Sequence, residues 1–287
     1  MTVRPFLIPA VCALAAVTAC DDSVRISSTR SETNDAKGVL KVVEALQCPQ
    51  TMGSLTRKGS ASAGGTVCTY VGPRGAEVSL HLVSLDGETP ADVLKAFEQR
   101  LSGDLPRALI AMNTAEAQLQ ADAAGTEADA ARVAAEPPGG GGDRASVHAP
   151  GVAIDTRGED ATVRLPGLQI ETHGDKASVR IGGFHINADD SNGSAQISGS
   201  SGNGDHVIIN TRNDAAEIRT SAGGEATRSN WILTDNHSDE SGWRLVGYEA
   251  RGPVGGPLVV ATVRSRDRSR ERAFEDAKAL VALNAGD

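Results

Sequence analysis

Aromatic residues are scarce in this chain: two Trp, two Tyr and four Phe make up 3% of its 287 positions. Stacking platforms for bases or sugar rings are correspondingly few. An excess of positive charge is also missing, because 28 Lys and Arg stand against 37 Asp and Glu, for a formal net charge of -9. Binding to phosphate backbones relies on clustered Lys and Arg that release counterions, so no nucleic acid partner is expected. The signatures of activated nucleophiles, zinc hydrolases and nucleotide sites are absent: the sequence has no GxSxG, no HExxH, no P-loop and no GxGxxG after a strand. These absences argue for a structural or binding role over catalysis, with no cofactor and no catalytic or metal-binding residue assigned. An enzyme acting on cell-wall or polysaccharide material along a β-surface stands as the alternative.

The amino terminus is the most informative stretch. Arg4 supplies a short basic region and FLIPAVCALAAV follows at 6–17, an apolar run of 12 residues. A mature spanning helix needs about 20, so this run reads as a processing signal. The sequence Val17-Thr18-Ala19-Cys20 then resembles the bacterial lipoprotein signal. That resemblance implies cleavage after residue 19 and a diacylglyceryl group on Cys20, with the protein held to a membrane through an acyl anchor. Two or three acyl chains anchor stably where one does not. The implied location is the cell envelope, facing the periplasm. Asp21 and Asp22 resemble a signal for retention at the inner membrane, which is favoured over the outer one.

Export also bears on the cysteines. Cys12 leaves with the signal and Cys20 is acylated, so Cys48 and Cys68 remain as a pair in an oxidising compartment. A disulfide between them closes a loop of about 20 residues, worth on the order of 3 kcal/mol by loop entropy.

The fold class expected is α+β: a small disulfide-bonded α+β domain, then a β-repeat domain, solenoid-like or meander, with a C-terminal helix. Residues 1–19 are the signal and the polar residues 20–35 are the tether. The small domain spans 36–106. Within it a helix is expected over Ala36–Gln47, strands over Ser54–Lys58, Thr66–Val71 and Ala76–Leu85, and a second helix capped by Thr89, with Val93, Leu94, Phe97 and Leu101 as its core stripe. An Ala-rich helical linker occupies 107–142 and ends in EPPGGGG, where Pro removes donors and Gly adds backbone freedom.

The β-repeat domain, 143–287, opens with three blocks of 16 residues: VAIDTRGEDATVRLPG, LQIETHGDKASVRIGG and FHINADDSNGSAQISG. A partial copy precedes them and a degenerate one follows at 207–220. Each block reads as two short strands with one apolar face, which must stack on neighbours to bury it. The period places Ile154, Ile170 and Ile186 in one column and Val163, Val179 and Ala195 in another. A flattened solenoid is favoured over a meander. The pattern loosely resembles the adhesin-type β-repeat proteins of bacterial envelopes, and the structural or binding role expected is presentation of the repeat surface to an envelope protein partner. Beyond it, Trp243 to Val263 suggests strands joined by GPVGGP, and a closing helix carries Phe274, Ala277, Leu280 and Val281 on one face.

The candidate sites are modest. Asp189, Asp190 and Asn192, with Asp205, form an irregular acidic turn that fails the EF-hand pattern but is the first place to look for binding. Arg264, Arg266, Arg268, Arg270 and Arg272 form a run suited to lipid headgroups or an acidic partner. The Asp155, Glu171, Asn187 and the Arg164, Arg180 columns read as cross-strand charge ladders. His148, His173 and His185 are expected in different columns, which disfavours a metal centre.

Overall fold

The computed structural model describes residues 40–114, 117, 144–149, 152–157, 160–224, 226–238, 240–267 and 272–286. The signal, Cys20, the tether and the Gly-rich end of the linker lie outside the described residues. Four strands come first: β1 (Thr51–Met52), β2 (Leu55–Arg57), β3 (Val67–Val71) and β4 (Glu77–Val83). Helix α1 (Pro90–Ser102) and helical residues 106–114 (α2) follow. A run of twelve strands comes next, beginning with β5 (Arg144–Ala149), β6 (Val152–Arg157), β7 (Asp160–Leu165), β8 (Leu168–His173), β9 (Lys176–Ile181) and β10 (Phe184–Asp189). It continues through β11 (Ser194–Ser200), β12 (His206–Arg212), β13 (Ala215–Ala222), β14 (Ala226–Asp235), β15 (Leu245–Pro253) and β16 (Leu258–Ser265), and α3 (Ala273–Ala285) closes the chain.

All sixteen strands form one antiparallel sheet in the order β1-β2-β3-β4-β16-β15-β14 and on to β5. From β5 to β16 the chain meanders, each strand pairing with the next; it is not the solenoid that the period favoured. The reason is local. Turns such as Gly174-Asp175 close on the pair His173 and Lys176, and a two-residue connection turns a strand back beside its predecessor. The last strand, β16, then pairs with β4, with Val263 opposite Val78. The sheet therefore runs across the boundary expected between 36–106 and 143–287, and the protein is mostly antiparallel β-structure with three helices.

Among the described residues, helices cover one end of this sheet. Thr89 caps α1 by accepting from the Asp92 amide, Pro90 takes the first turn, and Val93, Leu94, Phe97 and Leu101 are buried as the stripe predicts. They pack with Leu105, Trp231, Tyr248 and Val260 on one face of the sheet. On the other face Phe274, Ala277, Leu280 and Val281 of α3, each at most 2% exposed, meet Leu80, Val78, Val259 and Ala261. Strands β14–β16 and β4 are thus sandwiched between α1 and α3, so the C-terminal helix covers a face and does not cap a stack.

Cys48 and Cys68 form the expected disulfide, with Cα atoms 6.3 Å apart. The helix expected over Ala36–Gln47 does not form across its described part: residues 40–47 carry no helix. They form a strap along α3, in which the Lys41 amide donates to Ala285 O, the Gln47 amide donates to Asn284 Oδ1, and Asn284 Nδ2 donates to Gln47 O. Val43 and Leu46 still reach the core, but from the strap, because tertiary partners outweigh a short stretch of helical periodicity.

The meander aligns one column with unusual length. Val147, Ile154, Val163, Ile170, Val179, Ile186, Ile197, Ile209, Ile218 and Ile232 stand opposite one another on successive strands. Ile154, Ile170 and Ile186 share this column as expected; Val163 and Val179, expected in a second column with Ala195, stand in the same one, and Ala195 does not. The β10–β11 connection has four residues, 190–193, where the β8–β9 connection has two, and the shift of two keeps the face while bringing Ile197 into line. Ala195 instead pairs with Ala188 and Thr211.

Candidate functional site

Three regions carry chemistry. The first is the face of the meander on the α1 side, where the ladder Asp155, Thr162, Glu171, Ser178, Asn187, Gln196, Asn210 and Glu217 follows the expected column. It ends in a bonded chain: Gln196 Nε2 donates to Asn210 Oδ1 at 3.1 Å, and Asn210 Nδ2 donates to Glu217 Oε2 at 3.1 Å. Glu217 Oε1 accepts from Trp231 Nε1 at 2.7 Å and from Arg219 at 2.9 Å. Arg219 also donates to Glu98 of α1 at 2.6 Å, and Tyr248 donates its hydroxyl to the same Glu98 oxygen at 2.7 Å. Burial would lower the Arg219 pKa, but its bonds and charge pairing with Glu98 and Glu217 reverse that and raise it. Burial raises the Tyr248 hydroxyl, and the Glu98 charge adds to it. Both carboxylates bind Arg219 and a further donor, which suits a strut tying α1 to β13–β15 and leaves no proton-transfer pair there.

The second region is a cavity of about 360 Å³ on the α3 side, lined by Asn230, Glu249, Arg251 and Lys278 together with Thr220 and Arg228. Glu249 is 7% exposed and accepts from Asn230 Nδ2 and from Arg251 Nε, both at 3.1 Å. Burial raises its pKa, and Arg251, Lys278 and Asn230 oppose the rise. Arg251 reaches on to Gly286 O at the C-terminal end of α3. Its guanidinium thereby fastens the helix end to the sheet, where helix carbonyls lack intrahelical partners.

The third region is the face of β5–β13 on the α3 side. Among the described residues, core packing reaches β13 at Ala215 and Ile218 and includes no residue of β5–β12. Beside the Val/Ile column run an Ala/Thr column, with Ala161, Thr172 and Ala177, and a larger one, with Leu165, Leu168, Ile181 and Phe184. The central side chains are half-buried, while Ile181 and Phe184 are 51% and 55% exposed. This surface escaped the sequence reading, which took the apolar columns as buried core. Among the described residues no second apolar surface of matching length covers them.

The sequence-predicted site residues distribute differently. Asp189 is 4% exposed, and its carboxylate accepts from the Ser191 amide and hydroxyl and from Asn192 Nδ2, which makes an Asx turn capped by Gly193 at φ +61°. Asp190 sits in that same turn. Asp205 lies in the next turn, where it accepts from the Gly223 amide. All of β11 separates the two turns, which leave opposite ends of the strand, so Asp205 does not join the others. Arg264 donates to Asp104 at 2.6 Å, and the Arg266 guanidinium stands 5.1 Å over the Trp243 ring. Arg272 occupies the position before α3, beside Arg74 and Asp267, which form an ion pair. Arg268 and Arg270 lie outside the described residues. Two members of the run are therefore engaged in holding the fold.

His148 and His185 share a column, through Ala153, Arg164, Gln169 and Arg180, contrary to the expectation of separate columns. The meander brings adjacent runs side by side where the 16-residue period had superposed alternate ones. They remain five strands apart, roughly 24 Å at the usual strand spacing. Burial, with Arg180 adding, lowers the His185 pKa. Among the described residues no three of His, Cys, Asp and Glu gather as a metal-ligand set. No helix among them is long and apolar enough to cross a membrane. No protein-family model, curated protein or solved structure matches the chain.

Proposed function

We propose that the protein is a non-catalytic envelope lipoprotein, anchored through Cys20, that presents the β5–β13 sheet as a binding surface. One observation carries the binding role: these strands give a regular apolar face, yet among the described residues those of β5–β12 enter neither core cluster. An apolar face that supplies no intramolecular core is expected to meet something else. The anchor rests on the Val17-Thr18-Ala19-Cys20 pattern. Membrane tethering suits such a surface, because confinement to two dimensions raises its effective concentration toward other envelope components.

Two experiments test the reading. The unchanged chain is expected in the membrane fraction of a bacterial host and Cys20→Ala in the soluble fraction; membrane retention of Cys20→Ala contradicts the anchor. Chemical cross-linking of intact membranes is expected to give adducts that Phe184→Asp loses, and adducts indifferent to that substitution contradict the binding surface.

A further inference from the structure

We infer that the occupant of the β5–β13 face is a second copy of this chain, packed face to face as the other half of a β-sandwich. The inference rests on the binding-surface reading and identifies its partner. Three central columns cross these nine strands, and their side chains are Val, Ile, Leu, Phe, Ala and Thr, with Gly199 the one gap. None of these positions carries a charge. Neighbouring positions on the opposite face carry Asp155, Glu171, Arg164, Arg180 and Arg219. The sheet is therefore as strongly sided as one half of a sandwich whose inner face is meant to be dry.

Area selects the kind of occupant. Nine strands about 4.8 Å apart and three columns about 6.8 Å apart span roughly 900 Å². That exceeds the roughly 300–600 Å² of the largest apolar patch on a typical monomer and matches the ~800 Å² per partner of a stable interface.

Pattern then favours self-association. The Val/Ile column lies between the Ala/Thr column and the larger column of Leu165, Leu168, Ile181 and Phe184, so a two-fold axis along the Val/Ile column sets the larger column of each copy over the Ala/Thr column of the other. Such interdigitation fills the space between sheets about 10 Å apart, and the contact is isologous and closed. A lipid surface fits less well. Interfacial binders frame an apolar face with Lys, Arg and Trp; the three columns of this face carry none of these, Arg228, Arg251 and Lys278 border it at the β13 end alone, and the whole chain carries -9.

The test is sedimentation of the full chain carrying Cys20→Ser, together with cross-linking of the anchored protein. The Cys20→Ser chain is expected at twice the chain mass of 29.6 kDa. The double substitution Ile181→Asp with Phe184→Asp should weaken the dimer at least 100-fold, while Arg180→Asp, its neighbour on the opposite face, leaves it intact. Matching circular dichroism across the three proteins shows that folding is retained. A single-chain mass for the Cys20→Ser chain at ~100 µM overturns the inference, and flotation of that monomer with liposomes would assign the face to lipid. Adducts heavier or lighter than two chains that Phe184→Asp still abolishes would overturn the second copy alone and leave the binding surface standing.

Discussion

His81 offers a prediction in which sign and size both follow from the structure. It lies on β4 between Val67 and Val260, with the Phe97 ring 5.4 Å away in an edge contact. Burial, reinforced by the charges of Arg100 and Arg264, lowers its pKa from 6.5 to about 4. Around it stand the apolar side chains of α1 and β16 and these two cations, and no carboxylate is among the causes of its shift. Because the folded value lies below the unfolded one, the folded chain binds fewer protons at this site between pH 6.5 and 4. The stability it contributes is complete above pH 6.5 and is lost progressively as the pH falls toward 4. A shift of this size corresponds to about 3 kcal/mol over the window. The perturbation is His81→Gln, which stays neutral throughout, and the assay is urea unfolding of both proteins at steps from pH 7 to pH 4. Carboxylates and other histidines contribute equally to the two curves, so the difference between them isolates His81. The unchanged chain should lose about 3 kcal/mol more than the variant. Parallel curves would refute the reasoning.

Further outcomes follow from the contrast between the covered and open ends of the sheet. Leu80→Ala, at a side chain with no exposure, should cost about 3 kcal/mol in denaturant unfolding. Ile170→Ala, half-buried on the open face, should cost roughly 1 kcal/mol in the monomer. Reduction of the Cys48–Cys68 disulfide, or Cys48→Ala with Cys68→Ala, should lower stability by about 3 kcal/mol through loop closure, read from the urea midpoint. Arg219→Met leaves Glu98 and Glu217 facing each other and should cost roughly 1–2 kcal/mol, with a change in Trp231 emission because the indole donates to Glu217.

Much of the fold was legible wherever one strand or helix specifies itself. The Thr89 cap, the stripe of α1, the four inward residues of α3, the disulfide and the Ile154, Ile170, Ile186 column all depend on local periodicity or on cysteine count. What escaped depends on distant partners. Residues 40–47 have helical spacing, yet their amides find Asn284 and Ala285, more than 230 residues away. Likewise β4 pairs with β16, and neither strand advertises the other. The shift from Ala195 to Ile197 came from two extra residues in one turn, which preserve parity and so leave the alternation pattern unchanged. The acidic turn stood out in sequence because it interrupts the repeat. In the structure that interruption is spent within the turn, as Asp189 satisfies Ser191 and Asn192. The proposed binding surface instead lies on the regular columns, where apolar residues signal burial without saying against what.

The account's central claim is that the apolar face of the meander is occupied in the protein as proposed to be anchored through Cys20. Thiol labelling at two adjacent positions addresses it directly. Arg180 and Ile181 are both exposed on β9 and point to opposite faces. In the full anchored chain, with Cys48 and Cys68 held in their disulfide, Arg180→Cys should react with a maleimide at the same rate before and after dispersal in detergent. Ile181→Cys should be protected in the membrane and become reactive once the dispersed chain is diluted far enough to separate the two copies. Equal and rapid labelling of both positions in the intact membrane would contradict the claim.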